Sequence, residues 1–333
     1  MIRTDAPSFA FTRAPTRRAL LRGAAGLGGA ALFPAGLLAA PTLRVATYKG
    51  GDGLLLRRAG QSLPFDVDFS EFGSGNLIVE ALAAQAVDLG GMSQIPVAFA
   101  AISQAKIKVF ATVKGDVNEQ IVVVPGNSAA RRIGDLKGKR VGYVRATTAH
   151  YFLLKMLEEE GLRFSDITAI NLSPADGQTA FASGALDAFA IYGYVGQRIQ
   201  QSYGARVLRN ANGILSGDYF FTARPEALTD ASLRAEIETY LRVMRKALAW
   251  REAHIDEYSN ALAEALGLPA SVVKAVHERE SQPRRLVPID ERAIATTQEI
   301  AKTFFDAGLI PRRGDVGLLF DRSFDALLSE KDG

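Results

Sequence analysis

Arg145-Ala146-Thr147-Thr148-Ala149-His150 gathers two hydroxyls, an imidazole and a guanidinium at one turn. Before it, Arg140–Val144 is a short β-branched and aromatic run. After it, Tyr151, Leu153, Leu154, Met156 and Leu157 recur at helical spacing. Such a turn suits an anion. The first amides of a helix have no partner within it, and the positive end of the helix dipole faces the same spot. Thr147 or Thr148 is a natural N-cap, and the Thr147–Ala149 amides would point at a bound oxyanion. Arg145 is the nearest cation, placed to neutralise that anion or to sit on the surface beside Glu158 or Asp187. His150 serves as cap, packing residue or pocket donor. An ordinary strand-to-helix connection also needs a capping threonine, so both readings stay open at this point.

Other chemistries find less support. There is no cysteine, which excludes a thiol nucleophile, and His150, His254 and His277 are not at metal-ligand spacing. No serine elbow, phosphate loop or dinucleotide fingerprint is present. None of these patterns calls for a cofactor or a metal.

The elements that would position the turn alternate between strand and helix. Leu43–Tyr48 reads as a strand, then the loop Lys49–Gly53 and a helix at Leu54–Ala59. Phe65–Phe72 alternates as a strand, followed by Gly73–Asn76 and a helix at Leu77–Gln85. Val87–Gly90 is a third strand, then a loop Gly91–Gln94 and a helix starting near Pro96. Ile107–Val113 and Glu119–Pro125 are further strands. Asp166–Leu172, Leu186–Tyr192, Ala205–Arg209 and Tyr219–Thr222 are strands around a helix at Pro174–Ala182. This pattern predicts an α/β fold with a mainly parallel sheet. Beyond it the chain is helical, over Ala231–Ala253, Ile255–Leu266, Ser271–Arg279 and Glu291–Phe305, with a last helix near Phe320–Ser329. Trp250 falls on an apolar helix stripe with Leu241, Met244 and Leu248, which predicts core.

Three strands thus end in small or polar loops. In open α/β sheets ligands sit beyond the carboxyl ends of strands. Lys49, Gly50, Ser74, Gly75, Ser93 and Gln94 become candidate contacts, and Tyr48, Tyr192, Tyr194 and Tyr219 could line a broad pocket. Asp218, where the chain returns to its first half, joins the candidates. Ala81–Gly91 (ALAAQAVDLGG) and Ala180–Ala190 (AFASGALDAFA) echo each other, with Asp88 and Asp187 in matching places. The echo predicts two related lobes that present equivalent loops, Ser93-Gln94 and Tyr192-Gly193-Tyr194, to a shared cleft.

The first forty residues read differently. Thr16-Arg17-Arg18-Ala19-Leu20-Leu21-Arg22 is a twin-arginine stretch, and Gly23–Ala40 is a weakly apolar run with five glycines and one proline. A basic region, an apolar core and small terminal residues make an export signal of the twin-arginine kind, cleaved at Ala39 or Ala40. Taking five arginines and one aspartate from 39 basic and 36 acidic side chains leaves 34 and 35. The remainder is nearly neutral and carries no basic cluster for nucleic acid.

Glu71-Phe72-Gly73-Ser74-Gly75, Asp88-Leu89-Gly90-Gly91, Asp135–Val141 with Thr148-Ala149-His150, Pro174-Ala175-Asp176 with Gly184–Ala188, and Phe304–Pro311 together resemble the bacterial ABC-transporter solute-binding proteins for aliphatic sulfonates, close to the taurine and nitrate binders. The resemblance spans roughly residues 42–325. It implies a type II periplasmic-binding fold, two α/β lobes around a ligand cleft joined by two crossovers. Residues 41–122 and 220–333 would form one lobe and 123–219 the other, with crossovers near Ile121–Pro125 and Gly217–Phe220. The family's pocket maps onto Gly73, Ser74 and Gly75, onto Ser93 and Gln94, and onto Thr147, Thr148 and His150. Tyr192-Gly193-Tyr194 departs from the family's Trp-Asp-Pro loop, and Met92–Pro96 from its acidic or Thr-Pro loop. The implied protein is a periplasmic monomer that takes a small anionic solute, such as an organic sulfonate, and delivers it to a membrane permease. The alternative on this fold is an enzyme or binder for a pyrimidine, a vitamin precursor or a sulfur compound. Sulfinate cleavage by such relatives uses the cysteine this chain lacks.

Overall fold

A computed structural model describes residues 42–280 and 282–330. The signal assigned to residues 1–40 lies outside the described residues. The first part runs β1 (Leu43–Thr47), α1 (Asp52–Arg58), β2 (Val67–Glu71), α2 (Gly75–Ala83), β3 (Leu89–Ser93), α3 (Gln94–Ser103) and β4 (Lys108–Lys114). The second runs β5 (Gln120–Val124), β6 (Arg140–Tyr143), α4 (Thr148–Glu159), β7 (Thr168–Asn171), α5 (Pro174–Ala182), β8 (Ala188–Tyr192), α6 (Gly193–Tyr203) and β9 (Arg206–Asn210). The third runs β10 (Asp218–Ala223), α7 (Pro225–Thr229), α8 (Ala231–Ala253), α9 (Ile255–Leu266), α10 (Ala270–Glu278), β11 (Arg285–Val287), α11 (Glu291–Asp306) and α12 (Asp325–Ser329).

These elements build two α/β lobes. The first sheet has the order β11-β4-β10-β3-β1-β2 and the second β7-β6-β8-β5-β9. In each, a parallel trio (β2-β1-β3, β7-β6-β8) is flanked by an antiparallel strand, β10 or β5. Those two strands are the ones by which the chain enters each lobe from the other. The crossovers are residues 115–119 and 211–217. The β-branched run Glu119–Pro125 forms β5 just after the first crossover, and Gln120–Val124 is buried throughout. A strand covered on both faces reads as an unbroken β-branched run.

The internal echo is structural. Arg44 at the start of β1 donates its backbone N–H and guanidinium to Asp88 before β3, and Arg140 at the start of β6 does the same to Asp187 before β8. Asp88 is the more buried of the two and also accepts from Arg224 at 2.8 Å. Gly90 marks another close approach. A Cβ there would stand 2.7 Å from Ile78 and 2.9 Å from Ala46, so α2 sits on β3 only because the side chain is missing.

Four expectations change. β3 does not end at Gly90 but continues through Ser93, because Gly91, Met92 and Ser93 pair with Phe221, Phe220 and Tyr219 of β10. Gln94 therefore opens α3 directly, with no loop between. Gly193-Tyr194 is likewise no loop but the start of α6, whose Gly196 packs against Ile121 and Ile191 and whose Ile199 is fully buried. Tertiary packing outweighs the poor helix propensity of two glycines. Strand β11 was not expected at all, and only its pairing with β4 makes it one. The last helix is shorter than expected, beginning at Asp325. Trp250 packs partly on the first lobe's core and stacks on His254, ring centroids 4.8 Å apart.

Candidate functional site

The Thr147-Thr148 turn begins α4 as its residues demand, but its hydroxyls do not cap the helix. Thr147 holds the extended backbone of an N-cap, with φ −128° and ψ 177°, while its Oγ1 donates to the Val144 carbonyl at 2.7 Å. Thr148 Oγ1 donates to Gln120 Oε1 at 2.5 Å, and Gln120 Nε2 donates to the Tyr219 hydroxyl at 3.1 Å. No side chain caps the first amides of α4. In the first lobe Ser74 begins α2 and Ser93 begins α3. Both are buried, and neither side chain caps its helix. Three helix starts therefore keep donors that the helices themselves do not use.

These starts converge where the lobes meet. Ser93, Thr148 and Tyr219 line one crevice of about 10 Å³, room for a single water at most. The Tyr192 hydroxyl crosses from the second lobe to the Gly73 carbonyl at 3.5 Å and is within hydrogen-bonding reach of Thr147. Tyr48 lies over Gly75, where an added Cβ would stand 3.2 Å from its hydroxyl and 2.8 Å from Pro96. Burial, reinforced by Tyr192, Tyr219 and Asp52, raises the Tyr48 phenol, so it stays a neutral donor.

The opposite wall was not foreseen. Arg284, just before β11, stands among Tyr194, Tyr219 and Tyr258. Protein surrounds it, yet its side chain keeps 46% of its surface, as a group facing an internal cleft does. Burial opposes its charge and Glu280 favours it, and a guanidinium stays protonated in any case. Glu280 lies 3.6 Å away and is itself gripped at 2.7 and 2.9 Å by Arg251, which is fully buried. Asp52, the first residue of α1, accepts from the Tyr240 hydroxyl at 2.6 Å. Burial raises its carboxyl, against the lowering pull of Tyr240 and Arg284.

The lobes are closed on each other here. Tyr194 of α6 meets His277 of α10, hydroxyl to Nε2 at 2.8 Å, and Arg198 donates to the Leu266 carbonyl at the end of α9. Ser259 Oγ donates to the Ile255 carbonyl at 2.6 Å and accepts at 2.7 Å from His277 Nδ1. That leaves Nε2 as the acceptor and Tyr194 as the donor. Burial, with Arg251 and Arg284 nearby, pushes the His277 imidazole down to about 3, so the ring is neutral.

Several candidates point elsewhere. His150 turns into an aromatic cage at the back of the lobe junction, with Phe304, Tyr143, Phe164 and Phe99 centroids at 4.6, 4.8, 5.2 and 6.0 Å. Gln94 spends its amide on α11: Nε2 donates to Thr296 and Thr297, and Oε1 accepts from Ser216 at 2.6 Å. Asp218 is paired with Lys114 at 2.6 Å beside the second crossover. Gly50 turns with φ +70° against Leu262, and Lys49 is exposed. Arg145 is exposed too. Its expected surface partners are taken, Glu158 by Lys155 and Asp187 by Arg140. Ala149 is fully buried, so only its backbone can face a ligand. Arg284, Asp52, Gln120 and Tyr258 escaped the sequence reading. An arginine pair after a proline looks like surface until β11, which opens at Arg285, pairs with β4 and sets Arg284 beside the first crossover.

A family model described as NMT1/THI5 like matches residues 64–216. A protein of Escherichia coli (strain K12) whose name describes aliphatic sulfonates binding is 29% identical over 300 residues, covering 88% of this chain and 92% of its own. The structure of the alkanesulfonate-binding protein SsuA from Xanthomonas axonopodis pv. citri, bound to MOPS, is 30% identical. It superposes with a TM-score of 0.79 over 85% of this chain and 98% of its own. The periplasmic aliphatic sulphonate binding protein SsuA from Escherichia coli gives 26% identity and a TM-score of 0.72, over 88% and 94%.

Proposed function

We propose that this chain, which belongs to the family of periplasmic aliphatic sulfonate-binding proteins, is the solute-capture component of an ABC importer and takes an organic sulfonate between its lobes. The observation that carries the reading is the cleft itself. Helix starts at Ser74, Ser93 and Thr148 leave donors free on one side, and the Arg284 guanidinium stands among phenols on the other. A sulfonate is a fixed anion with three acceptor oxygens, which helix amides, hydroxyls and an arginine can share. Contacts from both lobes favour the closed form, and a membrane permease reads that form. The protein works as a monomer in the periplasm, exported by its twin-arginine signal, and performs no chemistry on its ligand.

Calorimetry and thermal shift of the protein purified from the periplasm test this. Alkanesulfonates should bind and raise the melting temperature, adding about 2.7 kcal/mol at a hundredfold excess over Kd. Arg284→Gln should weaken binding about tenfold or more without lowering the melting temperature of the free protein. A shift with nitrate or a pyrimidine and none with any sulfonate overturns the ligand assignment. Product appearing on incubation overturns the non-enzyme reading. Replacing Arg17 and Arg18 by lysine should keep the protein out of the periplasm, and unimpaired export would exclude the twin-arginine route.

A further inference from the structure

We propose that Gln120 and the Thr148 hydroxyl are positioning groups: they hold the Tyr219 hydroxyl as a fixed hydrogen-bond donor to the bound anion and do not touch the anion themselves. This rests on reading the cleft as a sulfonate site. Tyr219 is the second residue of β10, where it pairs with Ser93 at the start of α3. Its ring lies on the first crossover, since a Cβ added at Gly115 would stand 3.5 Å from it. Thr148 begins α4 in the other lobe and lines the same crevice as Ser93 and Tyr219. Gln120, the first residue of β5, is buried and reaches both hydroxyls, Thr148 at 2.5 Å and Tyr219 at 3.1 Å.

The protons in this relay can be followed from one end to the other. A side-chain amide has an oxygen that only accepts and a nitrogen that only donates. Thr148 gives its proton to Gln120 Oε1, which turns Nε2 towards Tyr219 and makes the phenol oxygen the acceptor. The phenol's own proton is then unused, for among the described residues the Tyr219 hydroxyl donates to no acceptor. Were the amide reversed, Tyr219 would spend its proton on Oε1 and Thr148 would keep one free. The relay thus supplies the crevice with a single proton, from one end or the other. An anion draws it from the phenol, the more acidic hydroxyl and the stronger donor, because a hydrogen bond to a charged group outweighs one to a neutral amide. Burial raises the Tyr219 phenol, so the proton stays on it. Gln120 directly follows the first crossover and Tyr219 lies just past the second. The crossovers are themselves joined, the Gly115 N–H to the Gly217 carbonyl at 2.9 Å. Residues beside a hinge move least when lobes swing, so the donor is set before a ligand arrives and binding need not order it.

Calorimetry with butane-1-sulfonate on the wild type, Tyr219→Phe, Thr148→Val and the double variant tests the relay. Tyr219→Phe removes the donor and should weaken binding about tenfold, the worth of one hydrogen bond to a charged group. Thr148→Val keeps the shape but leaves Gln120 Oε1 unpaired, so the amide turns and takes the phenol proton. Binding should weaken by a similar factor. The double variant should bind within about twofold of Tyr219→Phe alone, because no phenol proton is left to withdraw. Gln120→Met should likewise weaken binding in the wild type and change nothing further in the Tyr219→Phe background. Thr148→Ser, which keeps the hydroxyl, should retain wild-type affinity. Losses that multiply to about a hundredfold in the double variant would mean that the Thr148 hydroxyl touches the anion itself, and would overturn the proposal. Full affinity in Tyr219→Phe overturns it too, and that result does not depend on whether a variant at Thr148 or Gln120 folds. If the wild type binds no sulfonate, the sulfonate reading falls and this inference with it.

Discussion

His150 gives the most quantitative handle on this fold. It is 3% exposed, and burial, aided by the positive charge of Arg145, pushes its imidazole down to about 3. The Ala146 N–H donates to Nδ1 at 3.4 Å, so the proton sits on Nε2, which is buried without a partner. An unfolded histidine titrates near 6.5. Between that value and about 3 the unfolded chain holds a proton that the folded ring refuses. Stability therefore rises with pH through this window and is lost as pH falls. From pH 7.5 to pH 5 the loss is about 2 kcal/mol for one such histidine. His277, pushed to about 3 as well, adds a similar loss. Asp52 works the other way, because its raised carboxyl takes up a proton more readily when folded. Asp88, held low by Arg44 and Arg224 against the pull of burial, matters only near and below the unfolded carboxyl range of about 4. His150→Leu isolates the first contribution. At pH 7.5 it should lie within about 1 kcal/mol of the wild type, since losing ring contacts is offset by removing an unsatisfied N–H. At pH 5 it should gain about 2 kcal/mol relative to the wild type. Urea unfolding at the two pH values, with equal slopes, reads the difference. An acid loss as large in the variant as in the wild type would refute the argument, and so would abolished ligand binding in a variant of normal stability.

Other expectations follow from the same contacts. Tyr194→Phe deletes the hydroxyl that links α6 to His277, and by the worth of one hydrogen bond ligand affinity should drop about twofold to tenfold. Small-angle scattering should show a wider liganded form, and unchanged affinity would mean that this contact does not hold the cleft shut. Asp88→Ala strands Arg44 and Arg224 at the edge of the first sheet and should cost about 3–5 kcal/mol in urea unfolding. The equivalent Asp187→Ala, at a more exposed pair, should cost about 1 kcal/mol or less. Gly177→Ala should destabilise the second lobe by about 1–3 kcal/mol, because its Cβ would stand 2.2 Å from the Phe189 ring.

Much of the architecture is written locally. Strand and helix alternate with periods that neighbouring residues impose, so α5, α8 and α9 begin and end where the apolar spacing puts them. The helix start at Thr148 is legible for the same reason, since hydroxyl-bearing residues are what such turns need, whereas Ser74 and Ser93 read as loop residues ahead of helices at Leu77 and near Pro96. The repeated Asp88 and Asp187 were visible as a pattern, although their arginine partners were not. What could not be read is everything decided by residues distant in the chain. Gln94 resembles a loop residue, but Thr296 and Thr297, about two hundred positions later, claim its amide. His150 looks like part of the anion turn, and only Phe99 and Phe304 of the other lobe draw it into a cage.

The opening turn shows where the line falls. The sequence alone determined that a strand hands over to a helix at Thr147-Thr148, because φ, ψ and capping preferences act within a few residues. Only the tertiary structure decided what that turn faces. The Thr148 hydroxyl goes to Gln120 and onward to Tyr219, and Arg284 comes to the cleft from another part of the chain. Their neighbours, burial and charge balance are long-range quantities, and no local spacing encodes them.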